Sequence, residues 1–174
     1  MTRTLAPPVT FTVHRVIPAD AARMRALRLE MLADSPLAFL ETVAQAAARP
    51  HEEYRRRIAQ AATGHQLAQF VADPGGRLIG HAGGTVLPEE PGVTVIFAVY
   101  VTPARRGGRV LGELVEAVAD WSRAAGRPGL MLEVVVGNDR AVNAYRRLGF
   151  EDTGVRVPHP TVPALTELQM RRPA

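Results

Sequence analysis

Two rhythms of apolar residues alternate along the chain. Phe11 and Val13 sit on alternate positions, with Arg15 next in the series, and predict a strand over residues 10–17. Pro18-Ala-Asp20 then opens a helix in which Met24, Leu27 and Met31 recur at helical spacing, giving one apolar face. Ser35-Pro36 breaks it and caps a short turn holding Leu37 and Phe39. A second helix starts at Pro50 and carries Tyr54, Ile58 and Ala61 on its face. From Leu67 the period drops to two. Strands are expected over residues 66–72 and 77–87 around Asp73-Pro-Gly-Gly76, and over 93–101 after Glu89-Glu-Pro-Gly92. The last of these is almost wholly apolar and therefore belongs at the centre of a sheet.

A helix over residues 107–125 follows, with Leu111, Leu114, Val115 and Val118 on one face and Val110, Ala117 and Trp121 widening it. Gly126 stops it. A strand over 130–136, a helix over 139–148 ended by Gly149, and two short strands near Val155 and Leu168 complete the chain. The Pro-rich loop 158–163 separates the last two. The order is β-α-α-β-β-β-α-β-α-β-β. A strand-helix-strand unit over 93–136 calls for a right-handed crossover between parallel strands, and the strands before it for an antiparallel meander. The expected fold is mixed α/β: a twisted sheet of about seven strands with helices on both faces. Residues 1–8 read as a flexible tail and 9–174 as one domain.

Composition narrows the chemistry. There is no cysteine, which removes thiolate nucleophiles, disulfides and Cys-based metal sites and fits a reducing cytoplasm. The five histidines show no metal spacing, so no metal is expected. No apolar run is long enough to span a bilayer, so no membrane association is expected. All 21 basic residues are arginine, yet the net charge is only +4. The arginines are scattered and aromatics make up 5% of the chain, which argues against a nucleic-acid surface. A modest positive charge suits an anionic small molecule.

The residues become specific after the central strand. The chain reads Tyr100-Val-Thr-Pro103-Ala-Arg-Arg106-Gly107-Gly108-Arg-Val110-Leu-Gly-Glu-Leu114, then Leu130-Met-Leu-Glu133-Val134-Val-Val-Gly-Asn138, then Ala141 and Tyr145-Arg-Arg-Leu-Gly149-Phe150. This ordered set resembles the GNAT superfamily of N-acetyltransferases. The resemblance covers about a third of the chain directly, and the order of elements outside it agrees. It implies acetyl-CoA as co-substrate, transfer to a primary amine of a small molecule or of a peptide or protein N-terminus, and no metal. It also makes a homodimer one expectation, since members often dimerise.

A Gly-rich strand-to-helix turn exposes unpaired amides at a positive helix end, which suits a pyrophosphate, and Arg106 is placed to add charge-assisted bonds. By resemblance, a bulge in the preceding strand opens a gap for the pantetheine arm, which bonds the backbone of Val99 and Val101. The acyl-CoA contacts then fall on Val99, Val101, Arg106, Gly107, Gly108, Arg109, Val110, Leu111, Gly112, Asn138, Ala141 and Tyr145. Two positions depart from the pattern. Arg109 stands where the second glycine belongs and Leu111 where a Gly or Ala follows. The arginine is expected to wrap over the phosphates, and Leu111 to narrow the groove or to pack.

Tyr145 occupies the position of the family's general acid, with Glu133 as base in Leu132-Glu-Val134, on the opposite side of the strand from its neighbours. Asn138 is either a contact to the cofactor or a helix cap, or both. His81 reads as structural. The acceptor groove is expected from residues 35–39, Tyr54 and 158–163, a mostly apolar set, with Glu41, Glu52 and Glu53 as candidates for its mouth. A second reading is a binding or regulatory module of the same fold that lacks catalysis because of the altered phosphate turn.

Overall fold

The computed structural model describes residues 8–174, and the expected tail over 1–8 lies, apart from Pro8, outside the described residues. Among the described residues seven strands form one sheet: β1 (Thr12–Arg15), β2 (Leu67–Asp73), β3 (Gly80–Val86), β4 (Val93–Val101), β5 (Gly129–Val135), β6 (Glu151–Pro158) and β7 (Thr166–Pro173). Their order is β1-β2-β3-β4-β5-β7-β6. The first four make the expected antiparallel meander, β4 and β5 are parallel, and β7 returns antiparallel between β5 and β6.

Five α-helices among the described residues cover the two faces: α1 (Ala21–Asp34), α2 (Val43–Ala48), α3 (His51–Thr63), α4 (Val110–Ala124) and α5 (Asp139–Arg147). On one face Met24, Leu27, Met31 and Ile58 of α1 and α3 close over Val71, Leu78 and Tyr100. On the other, Leu114, Val115 and Val118 of α4 and Val142 and Tyr145 of α5 close over Phe70, Ala82, Ile96, Leu132 and Met170. The alternation along each strand sorts the two cores.

The structure corrects the sequence reading in detail. Helix α2 has no counterpart among the expected elements. Thr42 caps it, its hydroxyl accepting from Gln45 N while Gln45 reaches back to the Thr42 amide. Helix α4 begins at Val110 rather than Gly107, because a 3-10 turn over Pro103–Arg105 and the glycine pair intervene. The final strands are eight residues each instead of short.

Candidate acyl-transfer site

Strand β4 does not stay beside its parallel neighbour. Its pairing with β5 is confined to its first third, where Val93 partners Gly129, Thr94 partners Leu130 and Val95 partners Met131. Beyond Val95 the two strands separate. The cause lies in β4 itself, whose register against β3 slips between His81 and Gly83. His81 pairs with Tyr100 and Gly83 with Phe97, three steps on β4 against two on β3. Ala98 is the extra residue, with φ of +49°, the sole non-glycine at positive φ among the described residues. That conformation costs an alanine on the order of 1 kcal/mol. The bulge shifts the alternation by one, so Ile96, Val99 and Val101 all face the α4 core while Ala98 and Tyr100 face the α1 core.

The gap opens a cavity of about 590 Å³. Val99, Val101, Arg106, Gly107, Gly108, Leu111, Glu133, Asn138, Ala141 and Tyr145 all line it. Three expected contacts do not. Val110 is buried in the α4 core, and a side chain at Gly112 would meet Leu148. Arg109 turns away, its guanidinium 4.7 Å from the Phe11 ring centroid and its Nε 3.4 Å from Glu113.

The turn between β4 and α4 has the features of an anion seat. Gly107 takes φ of +78°, which an L side chain rarely adopts. The amides of Gly107, Gly108 and Arg109 donate to no backbone carbonyl among the described residues. They sit at the start of the 15-residue helix α4, where the backbone dipole is positive. Arg105 and Arg106 join them in the wall, with Arg140 and Arg147 contributed by α5. The Arg106 Nε donates to Val101 O at 2.9 Å, and its terminal nitrogen pairs with Asp34 at the end of α1. The residues present therefore fit a polyphosphate. Leu111 packs against the α4 core and lines the same wall.

Tyr145 is 8% exposed, edge-on to Phe150 with ring centroids 5.8 Å apart. Its hydroxyl has no hydrogen-bond partner among the described residues, so it is not an internal anchor. Burial pushes its pKa up, which keeps the phenol protonated. Asn138 accepts from Ala141 N at 3.3 Å, so it caps α5 as one reading of it required, and it also lines the cavity.

Glu133 is exposed on its strand between buried Leu132 and Val134, as the alternation requires, and it lines the cavity. A second carboxylate joins it. Glu133 lies opposite Gln169 and Val135 opposite Glu167, which makes Glu133 and Glu167 diagonal neighbours on one face. Burial, then the Glu133 charge, push the Glu167 carboxyl up. Glu167 escapes a reading of the sequence because it lies in a strand remote from the signature. Arg140 and Arg147 escape it too, although they flank Ala141 and Ala144 at helical spacing.

The acceptor side differs from expectation. Ser35, Ala38 and Phe39 line the cavity, whereas Tyr54 is buried with its hydroxyl donating to Ala46 O at 3.3 Å. Residues 158–163 and the acids Glu41, Glu52 and Glu53 are absent from the wall, and those three acids pair with arginines in or beside the first three helices.

A separate groove of about 730 Å³ runs between α1 and the turn after β2. Near it His14, Asp20 and Asp73 form the one group of metal-capable side chains among the described residues. Arg23 already bridges the two carboxylates at 2.6 and 2.7 Å, and its bond holds the Asp73 carboxyl well below the usual range. The charge a cation would bring is thus supplied from within the chain.

Comparison with known proteins defines the class. The sequence pattern described as "Acetyltransferase (GNAT) family" matches residues 29–150. The chain belongs to the GNAT acetyltransferase family. It is 34% identical over 85 residues to the IAA acetyltransferase of Azospirillum brasilense, a match covering 49% of this chain and 55% of that protein. With the N-alpha-acetyltransferase RimI of Mycobacterium tuberculosis it shares 27% identity over 166 residues, 92% of this chain and 91% of that one. The structure of yncA, a putative acetyltransferase from Salmonella typhimurium with its cofactor acetyl-CoA, superposes with a TM-score of 0.75 at 18% identity, covering 94% of each chain. The first of these matches spans little more than half of its relative. No helix among the described residues is long and apolar enough to cross a membrane.

Proposed function

We propose that this protein is an acetyl-CoA-dependent N-acetyltransferase that acylates a primary amine by direct transfer. The observation that carries this reading is the single cavity in which the split between β4 and β5, the amide-rich turn, Glu133 and Tyr145 meet. Acetyl-CoA supplies an activated acetyl thioester. The turn amides and Arg106 hold its phosphates, and the backbone of Val99 and Val101 holds the arm. Glu133 takes the proton of the incoming ammonium, directly or through water, so that nitrogen can attack. Tyr145 delivers its proton to the departing sulfur. A phenol ordinarily titrates near 10 and an alkyl thiol near 8.5, so on those values donation to a thiolate is a modest step, and burial keeps the Tyr145 proton in place until the sulfur departs.

The acceptor reading rests on the two carboxylates. Glu133 and Glu167 favour an amine that arrives as an ammonium, and Phe39 and Ala38 give its apolar portion a surface. A small amine or a peptide N-terminus meets both demands. The test is release of CoA from acetyl-CoA over a panel of amino acids, arylalkylamines and short peptides. One acceptor with turnover well above the hydrolysis background supports the proposal. Binding of acetyl-CoA with no turnover on any acceptor supports the non-catalytic module instead, the reading that Leu111 in the wall favours.

A further inference from the structure

We propose that His81 is the positioning residue for the acyl-CoA arm, because its imidazole clamps the β4 bulge that opens the sheet. This rests on the acyltransferase reading above. His81 lies on β3 and is 3% exposed. Its Nδ1 is 2.7 Å from Ala98 O, the carbonyl of the one alanine held at positive φ. Ala98 has no partner in the β3–β4 register, and the imidazole supplies a donor to its partly buried carbonyl from within the chain.

The proton inventory fits a clamp. Burial pushes the His81 pKa down to about 4, and the nearby Arg28 charge adds to that, so the ring is neutral and carries one proton. The Ala98 carbonyl can only accept, which assigns that proton to Nδ1. Nε2 is then an acceptor, and the Gln69 side-chain oxygen stands 3.3 Å from it. A half-turn of that amide presents its NH2 as the donor Nε2 requires. The bonded series Gln69, His81, Ala98 thus ties β2, β3 and β4 together behind the cavity. A second key fits the same slip. The Phe97 ring fills the space beside Gly83, where an added Cβ would stand 2.4 Å from a ring carbon.

The consequence falls on the backbone groups that the arm needs. Thr102 N donates back to Ile79 O on the β3 side, so Thr102 and Tyr100 direct their polar groups toward β3. The alternate residues Val99 and Val101 direct theirs toward the gap left by β5, and Val101 O already accepts from Arg106 there. Losing the bulge would slip the second half of β4 by one residue, exchange the two sets and turn the cavity's backbone groups inward.

The test uses the whole chain with three changes: His81→Ala, His81→Asn, and Ala98→Gly combined with His81→Ala. Acetyl-CoA affinity is measured calorimetrically, steady-state constants are measured for both substrates, and amide exchange is followed across residues 96–101. His81→Ala should weaken acetyl-CoA by about tenfold or more and raise its KM, with the KM for the amine unchanged. His81→Asn retains an N–H donor near the position of Nδ1 and should recover most of the affinity. Ala98→Gly should also rescue it, since glycine adopts the bulge conformation without a clamp. Amide exchange over 96–101 should quicken in His81→Ala and slow again in both rescues. Wild-type acetyl-CoA affinity in folded His81→Ala, or a loss that neither rescue changes, would overturn the proposal. If the unaltered protein binds no acyl-CoA, the acyltransferase reading fails separately, and unchanged exchange in His81→Ala would still refute the clamp.

Discussion

Replacing Tyr145 with Phe separates catalysis from folding with unusual clarity at this site. The hydroxyl has no hydrogen-bond partner among the described residues, so its removal strands no donor or acceptor. Phenylalanine keeps the ring, its edge-on contact with Phe150 and its burial. The stability change should therefore stay within about 1 kcal/mol, or roughly 4 °C in melting temperature for a chain of this size. A truncation to alanine would instead empty part of the α5 core, at about 3 to 5 kcal/mol. The effect on turnover should be of a different order. Loss of a positioned general acid costs about 10²- to 10⁴-fold, equivalent to roughly 3 to 5 kcal/mol of barrier. The assay is CoA release at saturating acetyl-CoA and amine, beside a thermal melt of the same preparation. A hundredfold or larger fall in kcat with a nearly unchanged melt is the expected pair of results, on the scale given for general acid catalysis of about 10²-fold upward. Full turnover in Tyr145→Phe would remove the phenol from the mechanism. A loss of activity matched by a loss of several kcal/mol in stability would make it a packing residue.

Three further outcomes follow from the same geometry. Glu133→Gln should lower kcat by about a hundredfold while leaving acetyl-CoA affinity unchanged; Glu167→Gln should cost less, and the reverse ranking in steady-state assays would move the base to Glu167. Asp34→Ala releases Arg106 from its partly exposed ion pair, and calorimetry should find acetyl-CoA bound about two- to fivefold more tightly, the scale of about 1 kcal/mol or less for such pairs. Stability should fall as pH drops from 6.5 toward 4, because the unfolded chain takes up a proton at His81 that the folded chain refuses until about pH 4. That slope is worth at most about 3 kcal/mol in denaturant titrations at pH 7 and 4.5, and His81→Asn should flatten it.

The sequence carries the sheet-forming segments and the helices with one clean apolar face, because burial imposes a period that neighbouring residues must obey. It carries Glu133 for the same reason, since Leu132 and Val134 must face the core and leave the residue between them outside. The bulge in β4 is implied by family resemblance, but nothing local marks Ala98 as its residue. Glycine flags positive φ at Gly107, whereas an alanine held there by His81 looks like any other. This is why His81 reads as structural in the sequence, where its link to the cavity is invisible. Helix α2 has a capping signal in Thr42 and Gln45, yet at six residues it is too short for a helical period to show. The helix face of Tyr54 suggests the groove, and that face is the buried one. The pairing of Glu133 with Glu167 depends on β7 entering between β5 and β6, a topological fact that periodicity does not contain.

The most direct test of the central claim is the melting temperature of the protein against acetyl-CoA concentration. Binding to the folded chain alone stabilises it by about 2.7 kcal/mol at a hundredfold excess over Kd, a rise of roughly 5 to 11 °C for a chain of this size. The account predicts that rise for the unaltered protein and a smaller one for Arg106→Ala. A melting temperature that stays flat up to millimolar acetyl-CoA would contradict it.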